Sequence, residues 1–427
     1  MTPVSTQAVE PLGLDTLDII SPDHYAQNGY PHHEWTYLRV HAPVYFYDRP
    51  NVRPFWSITK HADIIQISRQ PELFLNAPQL LIATRDVELS PQRKRVVRHL
   101  LNMDPPEHAK YRDLINRRFT PRAVRALEAE VSEIAEEVLE EIRRTNSFTD
   151  GALECDFVTD VSARIPIDVI AALLGVPKPD RPQLFRWTNQ TIGSADPEFQ
   201  LGATAQETIR RSREALFAYF ADLVEKRRKA PQDDLTSVLV RSSLDGNPLP
   251  FPEMASYFLL LVVAGNETTR NATSGGLLAF IENPHQWILL KHNPGLLLSA
   301  VEEILRWTSP VIQFARTAVQ DCELRGQKIK AGDSLALFYP SANRDEDVFA
   351  EPFRFDISRD PNIHLAFGTG EHFCLGANLA RLELEVIFRE LVKRVDYPEL
   401  TGPVERLRSS FAGGIKHMPV RLHLSQG

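Results

Sequence analysis

Between Pro252 and Pro284 the chain runs without a proline and keeps a helical pattern throughout. About thirty residues at ~1.5 Å rise give a rod of roughly 45 Å, long enough to cross a whole domain. Other elements must therefore pack around it. Its midpoint, Ala264-Gly-Asn-Glu-Thr-Thr269, puts an acid and two hydroxyls into an apolar helix, and such groups are costly there unless they meet partners or water. Glycine adds to the cost, by ~1 kcal/mol relative to alanine. Thr268 is spaced to hydrogen-bond the Ala264 carbonyl, which would widen the helix locally and open a polar notch. A tolerated polar kink explains the same residues without a function.

Nothing else divides the 427 residues: no Gly/Ser-rich linker, internal repeat or low-complexity run is present. The expectation is a tail over 1–21 and a single domain over 22–427, with 43% hydrophobic residues to surround a buried cofactor. Met1 to Asp15 lacks a basic start and an apolar follow-on, so a secretory signal is not expected. The longest apolar run, Phe258 to Gly265, is too short to span a bilayer, so no membrane anchor is expected. Only Cys155, Cys322 and Cys374 are present, which fits a reducing cytoplasm. Cys155 and Cys322 lack glycine or histidine context and read as structural. A net charge of −8 argues against nucleic acid as a partner.

Helix dominates the chain, and β-strands form small sheets. Ala42 to Tyr47 and Pro54 to Thr59 read as strands, Lys60 to Arg69 as a helix, and Asn76 to Pro91 as a surface loop or a lid. Met103 to Arg112 reads as a turn into a helix, with His108 and Arg112 four apart on one face. They suit a shared anion, and equally a solvated pair. Thr120-Pro121 looks like a cap and first turn, followed by Val124, Leu127, Val131, Ile134, Val138 and Ile142 at helical steps. Short strand-like pieces follow Pro310: Phe314 to Val319, Glu323 to Ile329 and Ser334 to Tyr339.

The second informative stretch is Phe367-Gly-Thr-Gly-Glu-His-Phe-Cys374-Leu-Gly376, where a glycine-rich turn delivers a lone cysteine to a helix expected over Gly376 to Val395. A thiolate there faces N–H donors and the positive end of the helix dipole. Its pKa is expected to fall, as an anionic metal ligand requires. Gly368, Gly370 and Gly376 are expected to let the backbone turn tightly around the sulfur. A redox thiol and one zinc ligand suit the same residues, although no second cysteine stands at metal-ligand spacing.

Here the sequence strongly resembles the cytochrome P450 family, the haem-thiolate monooxygenases. Phe367-Gly368-x-Gly370-x-His372-x-Cys374-x-Gly376 matches the family's cysteine loop. Ala264-Gly265-x-Glu267-Thr268-Thr269 matches its oxygen-activation motif, and Glu303-x-x-Arg306 with Pro352-x-Arg354-Phe355 matches its structural Glu-Arg-Arg network. The resemblance implies a mainly α single-domain fold, a triangular helical prism whose long central helix crosses the haem. It implies haem b (iron protoporphyrin IX) with Cys374 as metal ligand and His108, Arg112, Arg316 and His372 at positions that hold the haem propionates. Phe367, Gly368 and Gly376 belong to the cofactor-binding loop, and Glu267 and Thr268 would relay protons on the distal side. Glu267 stands where aspartate is commoner, and Glu346 where proline is frequent.

Further similarity is to bacterial members acting on sterol side chains and methyl-branched lipids, carried by Ile67 to Phe74, Ala264 to Asn271, Glu405 to Ser409 and Gly414 to His417; terpenoid hydroxylases share several of these. Leu260, Val263, Ala264, Val311, Ile312 and Phe411 are the expected substrate-pocket residues, an aliphatic lining suited to a terpene, sterol or branched acyl chain. Each also reads as ordinary core. The expected reaction is insertion of one atom of O2 into an unactivated C–H bond. A peroxygenase or haem-thiolate isomerase, and a non-catalytic haem sensor, are the alternatives. No flavin or nicotinamide fingerprint is present, so electrons are expected from a ferredoxin and its NAD(P)H-dependent reductase. Lys110, Arg112, Arg117, Arg118 and Arg122 are the candidate steering charges, with a solvated basic face as the plain alternative.

Overall fold

A computed structural model describes residues 13–85, 98–149, 151–194 and 196–425. The central helix spans Phe251–Glu282, 32 residues, with Pro252 in its first turn and Asn283 closing it before Pro284. It stays α-helical through the polar midpoint, so the expected widening does not break it. Around it pack the helices Arg164–Leu173, Arg181–Ile192, Ala205–Lys229, Leu297–Thr308 and Ala377–Arg394. Gly276 permits a close crossing: a Cβ there would lie 2.8 Å from Ile304 and 2.9 Å from Phe388. Among the described residues, the largest of three hydrophobic clusters surrounds this helix.

The amphipathic run after Thr120 forms two helices rather than one. Thr120 accepts the Ala123 amide at 3.3 Å and caps Pro121–Arg125, and Glu128–Thr145 follows after a break at Ala126 and Leu127. Val131, Ile134, Val138 and Ile142 are buried, as their spacing requires.

Early strands and the segment after Pro310 meet in a five-stranded sheet ordered Val44–Tyr47, Phe55–Ile58, Ser334–Phe338, Gln313–Ala318, Phe74–Leu75. Arg316 pairs with Leu335 in that register. A four-stranded sheet joins Val395–Leu400, Pro419–Leu424, Ala152–Asp156 and Phe148–Thr149. The packed body begins before Pro22. Leu17 and Ile19 are buried, and Tyr25 Oη donates to the Ile19 carbonyl at 2.8 Å, so the described part of the expected tail belongs to the core.

Glu303 and Arg306 lie fully buried and doubly bonded, at 2.7 and 2.8 Å. The arginine that joins them is Arg359, whose Nε donates to Glu303 Oε2 at 3.2 Å, and not Arg354. Arg354 pairs with Glu351 at the surface and offers the network only its carbonyl, which accepts from Arg306 at 3.1 Å. Glu346, at the position where proline is frequent, pairs with buried Arg39 at 2.7 Å. Among the described residues no helix is long and apolar enough to cross a membrane.

Candidate active site

The cysteine turn is held by its own backbone. Gly368 N–H donates to the Leu365 carbonyl (2.9 Å), Phe373 N–H to Gly370 (3.1 Å) and Cys374 N–H to Phe367 (3.0 Å). Gly370 has φ +74°, and a Cβ there would lie 2.2 Å from the Ser68 carbonyl oxygen, so only glycine fits. Gly376 differs from expectation. Its φ is −84° and a Cβ would meet nothing within 4 Å, because it faces the cavity. It caps the helix Ala377–Arg394, and its amide bonds to Cys374.

Burial pushes the Cys374 thiol pKa up, against the pull of the Gly376 amide, Arg112 and Arg381. The expected lowering is therefore reversed within the protein: the helix start supplies donors, but desolvation of the anion outweighs them. Burial likewise pushes Cys155 up to about 12.

Cys374 opens onto a mostly apolar cavity that reaches across to the central helix. His108, Arg112, Arg316, Phe367, Gly368, His372 and Gly376 all stand on its wall. Residues far apart in sequence thus converge as expected. Arg316 is 4% exposed; its Nη1 donates to the Ala315 carbonyl at 2.9 Å and its guanidinium also bonds the Tyr339 side chain. Arg112 has no ion pair among the described residues. His372 Nε2 is buried without a partner, and burial first, then His108, Arg316 and Arg112, lowers its pKa to about 2. His108 packs on it with ring centroids 4.2 Å apart and holds Glu371 through Nδ1 at 2.8 Å. Two guanidinium groups and a ring nitrogen that find no carboxylate among the described residues suit the two carboxylates of a haem, so these residues fit that group.

On the opposite wall the central helix shows Leu260, Leu261, Ala264, Gly265, Thr268, Thr269 and Ala272 to the cavity. Thr268 Oγ1 donates to the Ala264 carbonyl at 2.9 Å, as its spacing indicates. Glu267 does not line the cavity. It is 2% exposed, and Oε2 accepts from Arg270 Nη2 at 2.5 Å while Nη1 of the same arginine holds Asn189 at 2.9 Å. Burial raises the Glu267 pKa and Arg270 opposes the rise. Adjacent helix positions diverge by about 100°, which sends the acid and the hydroxyl to different neighbours.

Of the expected pocket residues, Leu260, Ala264 and Val311 line the cavity. Val263 packs against the main core, Ile312 is fully buried beneath the sheet, and Phe411 stands behind Phe314 at 5.7 Å between ring centroids. Phe314, Leu80, Leu100, Ile170 and Glu383 line it unanticipated. Glu383 is buried, with Oε2 unpaired, and burial raises its pKa well above the carboxyl range. Of the Asn76 to Pro91 stretch, Asn76 and Leu80 reach the cavity; 86–91 lies outside the described residues.

Among the candidate steering charges, Lys110 is paired with Asp245 at 3.0 Å and Arg118 with Asp233. Arg117 and Arg122 are exposed.

Helices folded round an apolar cavity, with a cysteine turn in one wall and a threonine of a long helix in the other, define a cofactor-enclosing class of protein. The profile of the family Cytochrome P450 matches residues 84–287 and 295–415. The chain is 39% identical over 418 residues to Cytochrome P450-terp of a Pseudomonas species, covering 94% of this chain and 96% of that protein. It is 38% identical to the Steroid C26-monooxygenase of Rhodococcus jostii, covering 99% and 88%. Its fold is similar to Mycobacterium marinum cytochrome P450 CYP268A2, solved with pseudoionone, at TM-score 0.87 and 35% identity over 97% of this chain and 100% of that one. The chain belongs to the cytochrome P450 family. It is a haem-dependent monooxygenase that hydroxylates hydrophobic molecules with O2 and electrons from a redox partner.

Proposed function

We propose that Cys374 is the proximal thiolate ligand of haem b, with Arg112, Arg316, His108 and His372 taking its propionates and Phe367, Gly368 and Gly376 shaping the seat. The single observation that carries this reading is that one cavity holds the cysteine together with Arg316 and Arg112, which have no ion pair among the described residues, and the unpartnered Nε2 of His372. Haem held by a thiolate supplies the O2 chemistry, thiolate donation favouring O–O cleavage.

The chain's residues do the rest. Leu260, Ala264, Val311 and Phe314 exclude water and hold an aliphatic substrate against the central helix. Thr268 spends its hydroxyl proton on the Ala264 carbonyl, so its oxygen faces the cavity as an acceptor. Glu267, held by Arg270 and next to Thr268 in the chain, serves as the relay acid, reaching toward Thr268 when Arg270 releases Oε2. The substrate is a sterol, terpenoid or methyl-branched lipid, in keeping with the aliphatic lining and with a steroid-acting relative. Electrons come from a ferredoxin and its NAD(P)H-dependent reductase in a reducing cytoplasm, which suits the free cysteines.

The test is Cys374→Ser. The reduced variant with carbon monoxide should lose the red-shifted Soret band of thiolate ligation; a retained band overturns the assignment. Low-spin to high-spin titrations with sterols, terpenoids and branched fatty acids decide among the substrates.

A further inference from the structure

Arg381 stands in the second turn of the helix that follows Cys374. Its guanidinium is clamped by Glu302: Nε donates to Oε1 at 2.6 Å and Nη2 to Oε2 at 2.9 Å. Such a two-point clamp fixes orientation as well as contact. His364 Nε2 lies 3.0 Å from the same Oε2. The Ala366 amide donates to His364 Nδ1 at 3.2 Å, which places the ring proton on Nε2, pointing at Glu302. On its other side the guanidinium carbon lies 4.6 Å from the Phe367 ring centroid, and the Phe367 carbonyl accepts the Cys374 amide at 3.0 Å.

This clamp is more than the turn needs to hold its shape. The amides of Gly368, Phe373 and Cys374 already bond within the turn. Glu303, next in sequence to Glu302, already ties the helix Leu297–Thr308 to the segment carrying Asp356, Arg359 and Asn362. What the Glu302 clamp adds is one oriented cation behind Phe367.

We propose that Arg381 is a positioning residue, a fixed positive charge held by Glu302 and His364 that stabilises the reduced form of a haem ligated at Cys374, with Glu302 tempering that charge. The inference rests on Cys374 being the axial ligand. A cation near the site favours the state carrying one more electron, and outer groups and hydrogen bonding around the ligand are the protein's means of tuning it. The Arg381 side chain is 35% exposed, so solvent screens part of the effect.

The experiment is spectroelectrochemistry of the holoenzyme and of its Arg381→Gln, Arg381→Lys and Glu302→Gln variants. Arg381→Gln should lower the ratio of reduced to oxidised protein at fixed potential by about threefold to tenfold, tenfold being about 59 mV for one electron. Arg381→Lys should stay near wild type, and Glu302→Gln should shift the other way, since it leaves the cation uncompensated. An unchanged potential in Arg381→Gln, or shifts of the same sign in Arg381→Gln and Glu302→Gln, overturns the proposal, because loosening alone would act equally in both. If Arg381→Gln fails to hold haem, the sign of the Glu302→Gln shift decides, upward supporting and any other result overturning. Absence of the red-shifted carbon monoxide band in the wild-type holoenzyme would instead refute the Cys374 assignment.

Discussion

Glu267 and Arg270, three residues apart on the central helix, close a buried ion pair at 2.5 Å, with side chains 2% and 3% exposed. The pair turns the carboxylate away from the cavity that Thr268 lines. Removing one partner strands the other as a buried charge, at a cost of about 3–5 kcal/mol. Arg270→Leu should therefore lose about that much stability in denaturant unfolding, and the double variant Glu267→Leu, Arg270→Leu should recover most of it.

Thr268→Ala should leave unfolding midpoints near wild type, because the lost hydroxyl bonds only a helix carbonyl. Coupling should suffer instead. Product formed per NAD(P)H should fall severalfold, with peroxide appearing in its place, and Thr268→Ser should hold near the wild-type ratio. A peroxide assay run beside product quantification checks this.

Two glycines of the cysteine turn should behave oppositely. Gly370→Ala forces a Cβ onto the Ser68 carbonyl at φ +74° and should destabilise the fold, by more than the ~1–2 kcal/mol of a left-handed residue alone. Gly376→Ala meets open cavity at an ordinary φ, so its thermal midpoint should stay near wild type while haem retention falls.

Glu383 carries a pH dependence of definite sign. Its folded pKa is raised by burial alone, so its neutral form's advantage is complete below the ordinary carboxyl range of ~4.3. It is lost as pH rises toward the folded value, at a slope approaching ~1.4 kcal/mol per pH unit. Glu383→Gln removes that slope. Its stability relative to wild type should therefore grow between pH 5 and pH 8, measured by urea unfolding at about those values.

Reduction by a ferredoxin should depend on Arg117 and Arg122 more than on Arg118, whose charge Asp233 already answers. Arg117→Glu should slow reduction severalfold at low salt and show a flatter salt dependence than wild type, read by stopped-flow. Arg118→Glu should act weakly.

The features legible without a structure were those written in local spacing. The proline-free run announced the central helix, the steps of three and four announced the face holding Val131, Ile134, Val138 and Ile142, and the glycine pattern announced the turn at Cys374. Thr268 bonded Ala264 because four residues of helix bring those atoms together whatever surrounds them.

Tertiary structure decided everything that depends on what lies across a gap. It sent Glu267 to Arg270, seated Arg359 on Glu303, buried Ile312, and set Phe314 in front of Phe411. It also reversed the direction of the Cys374 shift, since desolvation is set by every neighbour at once and no sequence window contains them. Periodicity is a property of the backbone and survives in the sequence. Side-chain partnership and burial belong to the packed interior, where a residue's fate is fixed by elements hundreds of positions away.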